Sequence, residues 1–369
     1  LIKLLLKMKY SYYLFILILF YACQKKDEGF VVRGVITGYS GTKLFVREII
    51  PGNDAWMNDT IEVKDGTFEY RGKVESPRLI YFIPQDFLGR YELFLENSEI
   101  KLNVENGHYR DMKVTGSKSH EEFIAISRDS RELLIRCGQF EKQKNEAFKT
   151  DTELYKRLED STSVWSGRLL RFLVERINYS NSLVLPYFAS EWIKSEDIQN
   201  MERFINGLTP DARKSVYTQY CEKALEQAKK VQSGNDAYDF VLQDIDGKEY
   251  RLSDFKGNYV LLEFSASWCG WCKLEIPYLK QVYDLTKGKK FHMFTINLDK
   301  ERKLWEEDVK KESLPWPVLS DLKAFDGGVA GEYNVSGIPV IFLIDPEGKI
   351  VTNKLRGEGM ISFIKQLSF

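Results

Sequence analysis

Two cysteines separated by two residues, in Trp268-Cys269-Gly270-Trp271-Cys272, have the spacing for either metal binding or thiol–disulfide chemistry. A structural zinc site needs a second pair of cysteines or histidines. The histidines do not supply one, because His108 and His120 belong to the N-terminal half and His292 stands alone within a strand pattern. Redox chemistry is the reading that is left. The pair follows an apolar strand pattern and opens a helical one. A helix N-terminus presents unpaired N–H groups and a partial positive charge, so it favours the thiolate of Cys269 over its thiol. Cys272, one turn further on, is placed to attack back. The expected reaction is exchange. The Cys269 thiolate attacks a substrate disulfide, a mixed disulfide forms, and Cys272 displaces the reduced product, leaving Cys269 and Cys272 joined. This chemistry implies no metal and no organic cofactor.

The elements that must position the pair lie in residues 234–369, where strand and helix patterns alternate as in βαβ units. Phe240 to Gln243 and Glu249 to Leu252 read as a hairpin around Asp246-Gly247, Tyr259 to Phe264 as a buried strand, and Gly270 to Lys287 as the helix that carries the cysteines. Phe291 to Leu298 is a further strand and Glu301 to Glu312 a helix. A helical segment Phe325 to Tyr333, strands Val340 to Ile344 and Lys349 to Asn353, and a last helix complete the region.

This region is similar to the TlpA/ResA-like branch of the thioredoxin superfamily. The resemblance covers the C-terminal third and rests on Leu252-Ser253-Asp254-Phe255-Lys256-Gly257-Asn258-Tyr259-Val260-Leu261-Leu262, Phe264-Ser265-Ala266-Ser267-Trp268-Cys269, Lys273-Leu274-Glu275-Ile276-Pro277 and Gly337-Ile338-Pro339. It implies an α/β thioredoxin-like C-terminal domain acting as a thiol–disulfide oxidoreductase on protein disulfides, with electrons returned by a membrane-bound donor. Reduction of disulfides in cytochrome c maturation is one such task; isomerase or oxidase activity is the alternative. It also implies site residues. Pro339 takes the place of a cis-proline facing the cysteines and keeping metal away, and the backbone of Ile338 aligns the incoming segment. Glu263, six residues before Cys269 on the strand, matches a buried acid that takes the proton from Cys272. Glu275, three residues after Cys272 on the same helix face, matches an acidic residue beside the active site. Trp271 stands where the family usually has proline, which leaves the direction of electron flow open. With Trp268 it is expected to widen the substrate-contact surface. The peroxidatic proline-threonine-cysteine motif of peroxiredoxins is absent from the sequence.

Ahead of this domain the pattern differs. Residues 30–116 form short runs broken by turn residues, the mark of a small all-β domain, sandwich or barrel. Asp65-Gly66 between Ile61-Glu62-Val63 and Phe68-Glu69-Tyr70 predicts a hairpin turn in which both residues take positive φ. Residues 117–233 form a helical region, with long segments Glu121 to Lys149 and Thr152 to Ile177. Thr209-Pro210-Asp211 reads as the start of a helix running through Tyr217 to Lys230, and Ser233 to Asp236 as a linker. The function of both regions is unassigned. A surface binding lipoprotein, with the β unit binding a ligand and the redox domain ancillary, is the competing class of function.

The 369 residues, 43% apolar, are enough for two or three units. With 53 basic and 54 acidic side chains there is no positive field to recruit nucleic acid, so that partner is not expected. The first methionine is Met8, the expected translation start. The apolar run Tyr12 to Ala22 is too short to span a bilayer, which takes about twenty residues, and reads as the core of an export signal over residues 1–22. Phe20-Tyr21-Ala22-Cys23 resembles a loose lipobox, making Cys23 the lipidated first residue of a tether over 23–29. The expected location is therefore the cell envelope, periplasm or outer membrane, with attachment to the membrane through the lipid. Export permits a bridge between Cys137 and Cys221, but their separate helical patterns favour two buried thiols.

Overall fold

The computed structural model describes residues 29–51, 59–86, 89–105, 112–147, 152–177, 181–192 and 198–368. Met8, the apolar run Tyr12 to Ala22, Cys23 and the segment Gln24 to Glu28 lie outside the described residues. The chain divides into two compact units at Glu222/Lys223, inside a helix and ahead of the Ser233 to Asp236 linker.

The first unit holds two four-stranded sheets that share one core. One has the order β4 (Thr67–Gly72), β1 (Phe30–Ile36), β7 (Glu99–Val104), β8 (Met112–Thr115), with β1 and β7 parallel. The other runs β3 (Asp59–Glu62), β2 (Lys43–Ile49), β5 (Arg78–Pro84), β6 (Tyr91–Leu95). Alternate residues of both sheets, among them Val32, Leu44, Val46, Phe82, Leu93 and Leu102, meet in that core, so the β domain is a sandwich. Asp65 and Gly66 do take positive φ, at 51° and 72°. A Cβ on Gly66 would stand 2.7 Å from the Ile36 carbonyl oxygen, so only glycine fits there. The turn is closed by paired Lys64 and Thr67 backbone bonds, yet β3 and β4 then diverge into different sheets. The predicted hairpin is thus a corner between layers.

The helices of this unit are α1 (Lys118–Ala147), α2 (Thr152–Ile177), α3 (Leu185–Trp192), α4 (Ile198–Asn206) and the start of α5 (Val216–Lys230). They are not a separate body. Phe123 of α1, Tyr187 of α3 and Tyr217 of α5 all pack their rings against Phe94 of β6. The Thr209-Pro210 signal opens a 3-10 turn over Ala212–Lys214, with the Thr209 hydroxyl 3.4 Å from the Ala212 N–H, rather than α5 itself. Extended backbone at Ser215 then separates the turn from the helix. Cys137 and Cys221 are free thiols. Cys221 is buried, but Cys137 is only half-buried, because α1 exposes most of that face.

In the second unit a five-stranded sheet has the order β13 (Val318–Leu319), β12 (Phe291–Asn297), β11 (Tyr259–Ser265), β14 (Val340–Ile344), β15 (Ile350–Thr352). β11 pairs parallel with β12 and antiparallel with β14, beside a small hairpin of β9 (Val241–Gln243) and β10 (Glu249–Arg251). β11 is central and buried on both faces. Val260, Leu262 and Phe264 pack on one side with Phe294, Phe342 and Tyr333. Leu261 packs on the other with Leu279 and Val282 of α6 (Gly270–Thr286) and Met360 and Ile361 of α9 (Gly357–Ile364). Each such fully buried side chain contributes about 1.5–3 kcal/mol. α7 (Arg302–Glu312) follows β12, and α8 is only Gly328–Glu332. The predicted helix from Phe325 is shorter because Gly327, at φ 93°, takes a conformation outside the right-handed helix and becomes the N-cap, so the helix starts only at Gly328.

Candidate active site

β11 ends at Ser265, and the chain turns through Ala266 and Trp268 into α6, whose N-cap is Cys269. The Cys269 Sγ accepts the backbone N–H of Cys272 at 3.1 Å, so a sulfur occupies the place of a helix-capping oxygen. The two sulfurs are joined at 2.02 Å. Both cysteines are buried, Cys269 at 4% exposure and Cys272 at 0%, so the second is the more completely enclosed of the pair. The turn before the pair is held from below. Asp299 is buried, and its carboxylate accepts both the N–H and the hydroxyl of Ser267, at 3.1 and 2.8 Å, and the side-chain amide of Asn297. Sequence reasoning passed over Asp299 and Ser267, whose signal was an acid just beyond the C-terminal end of a strand.

The Ile338–Pro339 peptide bond is cis. Val340 pairs with Phe264, which brings Pro339 alongside the end of β11. Ile338 packs against the core cluster that contains both cysteines, and so does Trp271, which is partly buried there. Trp268 is 59% exposed. Its ring lies 6.3 Å from that of Phe325, itself exposed, so an apolar pair stands beside the cysteines. The helical reading of the Phe325 segment concealed that neighbour.

Glu263 is fully buried on β11 and faces the same side as Leu261, beneath α6. Its Oε2 accepts the Thr295 hydroxyl at 2.8 Å, and its Oε1 has no hydrogen-bond partner among the described residues. Burial pushes the Glu263 carboxyl up to about 7; the Thr295 hydrogen bond opposes this, Glu275 adds to it, and Lys273 and Arg356 oppose it. Glu275 is close enough to be felt by Glu263, but its own Oε2 accepts the Gly357 N–H at 2.9 Å, at the start of α9. Neighbouring Arg356 donates to the Pro339 carbonyl. Glu275 therefore ties α6 to α9 beside the cis-proline segment. Lys273 is held by Asp308 at 2.5 Å and Glu312 at 3.6 Å, which joins α6 to α7.

Two family profiles match the chain. The AhpC/TSA family matches residues 233–353, and a domain of unknown function (DUF4369) matches residues 30–123, ending within α1. Thiol-disulfide oxidoreductase ResA of Bacillus subtilis is 37% identical over 121 residues, 33% of this chain and 66% of that protein's length. ResA of Bacillus cereus is 37% identical over 131 residues, 35% of this chain and 72% of the relative. Among solved structures, the thioredoxin domain of a thiol-disulfide oxidoreductase from Bacteroides vulgatus aligns at 32% identity and a TM-score of 0.35, covering 37% of this chain and 96% of that one.

Proposed function

The chain belongs to the ResA family of thiol–disulfide oxidoreductases, and we propose that it works as a protein-disulfide reductase of the cell envelope. The observation that supports this is the asymmetry of the pair. Cys269 caps α6 with its sulfur on the Cys272 N–H, while Cys272 is sealed from solvent. The Cys269 thiolate attacks a client disulfide and expels one client sulfur. The Cys272 thiol gives its proton to Glu263, and its thiolate attacks the Cys269 sulfur and releases the second client sulfur. Two electrons have then passed to the client, whose two thiolates take up two protons, one returned from Glu263 and one from solvent. A membrane-bound donor restores the dithiol. Trp268, Trp271 and the Ile338 backbone receive the client segment, Glu275 orders the acid side of the site, and Pro339 screens the dithiol from metal. Cys23 carries the lipid that holds the enzyme to a membrane, in the periplasm or at the outer membrane, with the β-rich and helical regions between anchor and redox domain.

A redox titration of the full-length protein against glutathione measures the direction of electron flow. A potential well below that of the glutathione couple is expected, and one well above it would replace reductase with oxidase or isomerase. Cys272→Ala should trap clients as mixed disulfides on Cys269. Failure to trap any disulfide-bearing protein would remove the exchange reading.

A further inference from the structure

The hydrogen bonds that reach Glu263 have a direction that the exchange reaction does not by itself require. The indole Nε1 of Trp316 lies 3.0 Å from the Thr295 hydroxyl oxygen, and the Thr295 hydroxyl lies 2.8 Å from Glu263 Oε2. An indole N–H only donates, so the Thr295 oxygen must accept from it. The one proton of Thr295 is then free to go to Glu263, with Oε2 as acceptor. If Oε2 itself carried a proton and donated, the Thr295 hydrogen would be left without an acceptor in a buried site, at a cost that such sites avoid. The Trp316 and Thr295 hydrogens both find acceptors only when Oε2 is a carbonyl-type oxygen. Oε1, buried and unpartnered, is the remaining place for a proton.

The fold makes this arrangement rigid. Thr295 is the β12 partner of Glu263 across a parallel ladder, and Pro317, beside Trp316, accepts the Thr295 N–H at 3.1 Å. Trp316 is buried in the same core layer as Leu261, Leu279 and Ile341. Leu279 and Val282 of α6 lie in that layer, and the charges of Lys273 and Glu275 in the first turns of α6 reach Glu263, so the carboxyl lies near the turns that begin at the cysteines.

We propose that Thr295, itself oriented by Trp316, is a positioning residue for Glu263, fixing Oε2 as acceptor so that Oε1 is the atom that takes the proton of Cys272. The proposal rests on the reading of Glu263 as proton acceptor. No bond to Thr295 or Trp316 changes during the step. The Cys272 S–H bond breaks, an O–H bond forms at Oε1, and the sulfur keeps the electron pair it uses against Cys269. The groups that set when this happens are the Thr295 hydroxyl from β12, Lys273 and Glu275 from α6, and Arg356 ahead of α9.

The test follows resolution of a Cys269 mixed disulfide with a small thiol as a function of pH, in the full-length protein. Loss of the Thr295 bond removes a stabiliser of the carboxylate, so Thr295→Val should move the rate profile to higher pH and slow resolution about tenfold below its midpoint. Trp316→Phe should shift it the same way by less, and Thr295→Ser, which keeps the hydroxyl, should restore the parent profile. Difference infrared spectra give a readout independent of rate. In Thr295→Val the carbonyl stretch of protonated Glu263 should rise in frequency, because Oε2 has lost its donor, and Trp316→Phe gives the same readout at a site that keeps an aromatic ring. An unchanged profile and stretch in Thr295→Val, with Glu263→Gln altering the profile, would overturn the positioning role and leave the Glu263 reading standing. If Glu263→Gln also leaves the profile as it was, both fall.

Discussion

Tyr217 in the first unit and Glu263 in the second are both buried polar side chains, and the two units treat them in opposite ways. The Tyr217 hydroxyl accepts the Leu79 N–H at 2.8 Å and donates to the Ile49 carbonyl at 2.7 Å, so it bridges two strand positions and has no capacity left. Glu263 has one oxygen satisfied and one bare. The cysteines repeat the contrast. Cys221 lies inside α5, where burial pushes its thiol up to about 12, whereas Cys269 stands at a helix N-cap facing backbone N–H groups. His120 follows the first pattern: its Nδ1 accepts the Phe94 N–H and burial drops the ring to about 4, which keeps it neutral. Tyr217 spends its hydroxyl on two backbone groups, whereas Glu263 keeps one oxygen without a hydrogen-bond partner among the described residues and burial raises its proton affinity.

Four measurements sharpen or break that contrast. The largest effect is expected from Cys269→Ser, which should reduce turnover of a disulfide substrate such as insulin to the buffer background; retained turnover would move the nucleophile elsewhere. Next is Glu263→Gln, read through stability. In the oxidised protein Glu263 holds its proton to about pH 7, against a reference value of 4.5, so between these pH values the native state binds more protons than the unfolded one and stability falls as pH rises. The penalty is absent below the unfolded value and amounts to about 3 kcal/mol by pH 8. Urea unfolding should therefore show Glu263→Gln gaining on the parent from pH 4 to pH 8, and a difference that is flat with pH would contradict the burial of an ionisable carboxyl.

Tyr217→Phe comes third. It leaves the Leu79 N–H and the Ile49 carbonyl without their shared partner, a loss of about 2 kcal/mol in the first unit. The loss should be the same at pH 5 and pH 8, and a pH-dependent one would make Tyr217 more than a strut. The smallest effect belongs to Cys221→Ala, about 1 kcal/mol from a small buried void. Exchange rates should be unchanged in that variant, and in the parent protein mass spectrometry after brief native alkylation should find Cys137 modified before Cys221.

Much of the site was legible because its signals are local. The Cys-Gly-Trp-Cys spacing after an apolar run defined a strand-to-helix junction, and the Asp65-Gly66 pair defined its turn, since both depend on a few consecutive residues. Features that depend on partners distant in sequence were harder. The Asp65-Gly66 turn joins two sheets instead of two paired strands. Glu275 points its carboxylate at Gly357, which its helical spacing from Cys272 could not indicate. The segment from Phe325 was read as helical too early because an apolar run at helical spacing gives no warning that Gly327 takes positive φ and caps the helix.

By itself the sequence determined where the cysteine pair sits, since a sulfur at a helix N-cap follows from residue type and the strand-helix order around it. Only the tertiary structure decided how the buried acid is tuned. The Thr295 hydroxyl meets Glu263 through strand register, and Trp316 meets Thr295 through packing after a long excursion of the chain. Hydrogen bonds of that kind act over about 3 Å, and sequence spacing has no term for a distance that only the closed sheet creates.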